Sequence, residues 1–207
     1  TNVWTHVTLS YDGSHTRLYE NAKLLNKTSN SGDAASVTEP IDIGAPAELE
    51  DNRYFDGTID DIRIYNRSLS NSSIHALYNS PSSSWSPTSV QVRTSEADPE
   101  DPDLVGSWSF EGVGQTVADN SDKNNRGNLG PSADVASDDP RRVAGYSGRG
   151  VEFDGANDFV GIDYDSSLAL SANLTISAWV NLDSLDLSDT RPGGTIVRRG
   201  DGCDQNY

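Results

Sequence analysis

Asp119-Asn120-Ser121-Asp122-Lys123-Asn124-Asn125 sets two carboxylates and three amides within seven residues. Calcium takes roughly six to eight hard oxygens at about 2.3–2.6 Å, and such a loop with its backbone carbonyls can supply them. Asp119, Asp122 and Asn125 are therefore candidate ligands of a structural calcium. The competing reading is a solvated turn in a chain that is acidic throughout. The loop is not an EF-hand, because it lacks that motif's central glycine and its closing bidentate glutamate. His6, His15 and His75 are the three histidines, and no triad or zinc spacing surrounds them. Trp4 and Trp179 are candidate platforms for a sugar ring, whose apolar C–H face stacks on an aromatic. The other reading places Trp4, Trp108 and Trp179 in a hydrophobic core.

These residues lie on short alternating runs bounded by Gly, Asn and Asp turns, the pattern of an all-β sandwich or barrel. Trp4–Tyr11 alternates up to the turn Asp12-Gly13, and Thr16–Asn21 restarts as its hairpin partner. Ile41 and Ile43 form a short strand ending at Gly44. Along Gly57–Tyr65, the spacing puts Ile59 on one face and Ile62 and Ile64 mainly on the other. Gly106–Phe110, Gly150–Phe153, Phe159–Asp163 and Leu174–Leu182 are further strands. In the last, Leu174, Ile176, Ala178, Val180 and Leu182 point one way, while Thr175, Ser177, Trp179 and Asn181 form a face open to solvent or ligand. One segment is helical, with Ser70 as its cap and Ile74, Leu77 and Tyr78 on one side.

Residues 81–103 are rich in Ser, Pro and acid and read as a solvated linker between stretches 1–80 and 104–207. The 207 residues carry 24 Asp, 8 Glu, 12 Arg and 3 Lys, a formal charge of −17. Nucleic acid, which is bound through neutralised phosphates, is excluded as a partner, and anionic membranes are disfavoured. No apolar run approaches the roughly 18 residues of a membrane span. Dense short carboxylates with few lysines predict a protein suited to concentrated salt, where self-repulsion is screened. A single cysteine, Cys203, excludes an internal disulfide framework. With no methionine, the chain reads as a piece of something longer.

Three blocks carry a family resemblance. The first runs Trp4-x-His6-Val7 to Tyr11-Asp12-Gly13, then Arg17-Leu18-Tyr19. The second runs Phe55-Asp56-Gly57-x-Ile59-Asp60-Asp61-Ile62-Arg63-Ile64-Tyr65-Asn66-Arg67-x-Leu69-Ser70. These resemble the C-terminal half of a LamG-like jelly-roll domain of the concanavalin A-like lectin/glucanase superfamily. The third, Trp108–Gly112, Asp119–Gly127, Gly150–Gly155, Asp158–Val160 and Leu174–Val180, resembles the N-terminal half of the same module. The halves stand in reversed order. Two incomplete sandwiches with unpaired edges are one arrangement, and a single circularly permuted sandwich is the other. Where the family has Val-Asn-Gly, this chain has Glu20-Asn21-Ala22, so Asn21 is expected to take the left-handed position.

The resemblance implies an antiparallel jelly-roll β-sandwich in which Asp60 and Asp61 lie near the Asp119 loop and complete a calcium set. It also implies a non-catalytic extracellular or cell-surface module of a larger multi-repeat protein, directed at polysaccharide or glycoprotein. Neighbouring repeats are a further partner class. A structural spacer, and an accessory domain of a polysaccharide-degrading enzyme, are the alternatives. Glu96, Asp98 and Glu100 match the lettering of the superfamily's β-glucan-cleaving strand, but Pro99 removes a ladder donor there. A linker cannot hold two carboxylates across a sugar.

Overall fold

The computed structural model describes residues 3–30, 38–46, 53–80, 101–137, 139–170, 173–183 and 194–199. Thirteen strands run β1 (Thr5–Tyr11), β2 (His15–Glu20), β3 (Lys23–Ser29), β4 (Ile41–Ile43), β5 (Asp56–Tyr65), β6 (Leu104–Trp108), β7 (Thr116–Val117), β8 (Gly127–Leu129), β9 (Arg141–Ala144), β10 (Arg149–Asp154), β11 (Val160–Ile162), β12 (Leu174–Leu182) and β13 (Val197–Arg199) among the described residues. Helix α1 (Asn71–Asn79) follows β5. The larger sheet has the order β3-β2-β1-β12-β5-β10-β9, with β6 also on β5, and the smaller one is β13-β4-β11-β8-β7. All ladder pairings between these strands are antiparallel, as expected for a jelly-roll sandwich.

Strands from residues 1–80 and strands from Leu104 onward interleave within both sheets. β12 lies between β1 and β5, with Val7 opposite Ala178 and Ile59 opposite Val180. In the smaller sheet, β11 lies between β4 and β8. Of the two arrangements open to the sequence, the strands take the single interleaved sandwich. Separate halves would leave the facing ladders of β1 and β5 unpaired, and buried backbone donors and acceptors demand partners.

The core between the sheets includes Ile43, Ile62, Trp108, Phe153, Val160 and Ala178. Ile59, Ile62 and Ile64 all belong to it, so the expected split of Ile59 from the other two is corrected. Asp61 takes φ +49 and the β5–β12 register shifts beside it, between Ser177 and Trp179. The bulge adds one residue and restores the alternation on its far side.

The second face of β12 is also not open. Thr175, Ser177 and Trp179 are buried. Ser70 caps α1 by accepting from the Ser73 N–H at 3.2 Å, and the helix lays Ile74 and Leu77 on Tyr19, Tyr65, Leu69 and Leu104. This second cluster covers the outer face of the large sheet. The predicted linker spans 81–103, of which 81–100, with Trp85, Glu96, Asp98 and Glu100, lie outside the described residues, as does Cys203. Residues 101–103 are not a loose tether, because Arg67 binds Asp101 at 2.6 Å and Asp103 at 3.2 Å.

Asn21 takes the left-handed position at φ +50, together with Ala22 at φ +63. The Asn21 side chain replaces the missing glycine's freedom with a contact of its own. Its Oδ1 accepts the His6 N–H at 2.9 Å, which ties the β2–β3 turn to β1.

Candidate functional site

Alternation places Trp4, His6 and Thr8 on the outer side of β1, and the register sets His6 beside Trp179 and Trp179 beside Asp60. These side chains meet on the outer face of the large sheet, at the end of α1. The His6 ring lies 5.1 Å from Trp179 and 5.9 Å from Tyr78. Tyr78 stacks on Trp179 at 5.5 Å. Tyr146, from the turn between β9 and β10, lies flat against Trp179 at 3.4 Å and 9°. Trp4 meets Tyr146 edge-on at 6.0 Å.

The turn that carries Tyr146 is Gly145-Tyr146-Ser147-Gly148, closed by the Gly145 N–H on the Gly148 carbonyl at 3.0 Å. Two carboxylates grip it. Asp60 Oδ2 accepts the Ser147 N–H at 3.1 Å, and Glu111 Oε1 accepts the Arg149 N–H at 3.1 Å. Both glycines are required for this. A Cβ on Gly145 would meet Asp60 Oδ2 at 2.6 Å, and Gly148, at φ +79, leaves no room for a side chain against Glu111.

Burial pushes the Asp60 carboxyl up to about 7, against the Ser147 hydrogen bond, and the neighbouring charges of Asp61 and Glu111 add to the rise. Burial lowers His6 to about 4, which outweighs the pull of Asp61. His6 is therefore neutral at pH 7. Asp61 is paired with the buried Arg63 at 3.1 Å. Burial works against the Arg63 charge, but Asp61 and Tyr65 more than offset it and hold the guanidinium charged.

The candidate sugar platforms divide. Trp179 is 2% exposed and lies beneath Tyr146, so it offers no open ring face in this arrangement. Trp4 is half-buried at the rim. Trp108 belongs to the inner core, where its indole donates to the Asn125 carbonyl at 2.8 Å.

The candidate calcium ligands have other occupations. Asp119 Oδ1 accepts from the Ser107 and Ser121 amides at 2.8 and 2.9 Å, and Oδ2 accepts from the Ser121 hydroxyl and the Asn125 amide, both at 2.7 Å. A carboxylate has about four lone-pair sites, and these four donors fill them. Asn125 Nδ2 donates to the Val105 carbonyl and Ser167, and Asp122 pairs with Lys123 at 2.8 Å. Asp60 and Asp61 are committed to Ser147 and Arg63. This donor set does not fit a calcium ion. Among the described residues, no three His, Cys, Asp or Glu side chains are grouped to hold a metal.

Tyr146, Tyr78 and Glu111 were not signalled by the sequence reading as site residues. The available signal was a lone aromatic between Gly145 and Gly148 in a tight turn.

Residues 1–75 match the family model Laminin_G_3, described as the concanavalin A-like lectin/glucanases superfamily. The two-layer antiparallel sandwich accords with that match. Comparison with curated proteins and with solved structures returns no match. No helix among the described residues is long and apolar enough to cross a membrane.

Proposed function

We propose, from the lectin-superfamily match over residues 1–75, that this chain is a non-catalytic binding module directed at carbohydrate or glycoprotein. In this reading it works outside the cell or on its surface, within a larger multi-repeat protein. The match is the observation that carries the reading, since the fold alone hosts many functions. The aromatic and acidic cluster at the end of α1 supports it. Aromatic faces and hydrogen-bonding carboxylates are the groups that recognise sugars.

A carboxyl held near 7 beside other acids is also what a general acid requires. Here Asp60 is 1% exposed and holds the Ser147 backbone beneath a turn, which fits a fastening better than a proton donor. The test is a glycan array probed with the purified chain, followed by titration of the best ligand. Selective retention of a defined saccharide is the expected result. Silence across a broad panel would favour a structural spacer.

A further inference from the structure

Tyr146 is 40% exposed, yet its ring lies face to face with an indole that is itself 2% exposed. The phenol covers Trp179, and Trp4 meets it edge-on at 6.0 Å. A flat six-membered ring stacked on a tryptophan, with a second tryptophan edge-on beside it, is also how a pyranose sits in an aromatic site.

Two residues of the same aromatic cluster carry unused hydrogen-bonding groups. His6 Nδ1 and Trp179 Nε1 are buried and have no partner, although both side chains are 2% exposed. Leaving such an atom unpaired costs about 1–3 kcal/mol. Sugar hydroxyls both donate and accept, so they match an indole N–H and an imidazole nitrogen together.

The cover itself is light. It is a four-residue turn with glycine at each end, and its fastenings include the Ser147 and Arg149 amides on Asp60 and Glu111, the Arg149 guanidinium on the Gly112 carbonyl, the edge of Trp4 and the stack. Short turns held by few contacts open at a small fraction of the global stability.

We infer that the Tyr146 turn is a lid over a carbohydrate subsite, its phenol occupying the place on Trp179 that a neutral pyranose ring takes when the turn lifts. Glu111 lies beside the turn, on the Arg149 amide, in a chain of net charge −17, so uronates and sulfated sugars are disfavoured by like charge. This rests on the carbohydrate-binding reading above and narrows it to one site and one ligand class.

The test is tryptophan fluorescence of the full 207-residue chain, titrated with cellohexaose, laminarihexaose and mannohexaose, with an oligogalacturonate as the anionic control. Tyr146→Ala should bind at least one neutral hexasaccharide about tenfold tighter than the unaltered chain, because the competing ring is gone. The bound sugar should shield an indole from acrylamide, and the galacturonate should not bind. Adding Trp179→Phe should abolish the gain. Tyr146→Trp, a larger cover, should bind more weakly than the unaltered chain, which gives an opposite sign should the double variant fail to fold. No tightening in Tyr146→Ala, or tightening for the galacturonate, overturns the lid. Equal affinity in all variants overturns the lid and leaves the binding reading in place. No binding by any variant, here and across the glycan array, overturns both.

Discussion

On the inner face of the large sheet, Ile59, Ile62, Ile64, Ala178 and Val180 close on the small sheet with apolar side chains alone. On the outer face, the same strands and β1 present Thr8, Asp60, Arg63, Thr175, Ser177 and Trp179, all buried as well. Equal burial thus hides opposite chemistry. The inner face gains stability from area removed from water, to which each fully buried isoleucine adds about 1.5–3 kcal/mol. The outer face confines ionisable and aromatic groups, where an unpaired atom is costly and a paired one is fixed in place. The inner face makes the fold, and the outer face has the means to recognise something.

The largest expected effect tests the interleaving on which both faces depend. Cutting the chain between residues 80 and 101 should leave neither piece with a cooperative thermal transition, while mixing them restores one. A stable 1–80 piece, seen by circular dichroism, would show that β12 is dispensable to β1 and β5. Next, Ile62→Ala should cost about 3 kcal/mol in urea melts, as expected for a fully buried side chain truncated in a packed core. Its outer-face counterpart is Thr8→Val, which removes a buried hydroxyl without a partner. That change should be neutral or mildly stabilising. Equal losses from both would erase the distinction between the faces.

The third effect is one of pH. Between about pH 4 and 7, folded Asp60 keeps a proton that the unfolded chain has released, so its contribution to stability falls as pH rises. Between about pH 4 and 6.5, the unfolded chain protonates His6 while the folded one does not, so this contribution rises with pH. The two slopes oppose each other. Asp60→Asn leaves the His6 slope uncompensated, and stability should then climb about 1 kcal/mol per pH unit more steeply than in the unaltered chain from pH 4 to 6.5. Parallel pH profiles would remove Asp60 from the account. The smallest effect concerns the Asp119 loop. Calcium should leave the Tm where a chelator leaves it, since a ligand that binds only the folded state would raise it.

Much of this fold was legible because alternation and caps are local. The β1 pattern, the apolar side of β12, the Ser70 cap and the left-handed Asn21 all follow from neighbouring residues. β3 gave no such signal, because every residue from Lys23 to Ser29 is exposed and nothing alternates. The bulge at Asp61 hid the shared face of Ile59 and Ile62, since one inserted residue inverts a period of two. Composition marked the Asp119 loop as rich in oxygen, but it could not show that backbone amides had already claimed those oxygens. The stack of Tyr146 on Trp179 joins residues 33 positions apart through a sheet neither one specifies alone, so no local pattern could announce it.

The position of β12 also bears on how the chain is made. Translation at about 5–20 residues per second completes Tyr65 some ten seconds before Leu182, counting the residues between them. Through that interval, nascent β1 and β5 wait with their facing edges empty, available to any other growing strand. Pairing of β1 with β2 fills only the opposite edge of β1, so the two facing edges stay open until their last partner emerges.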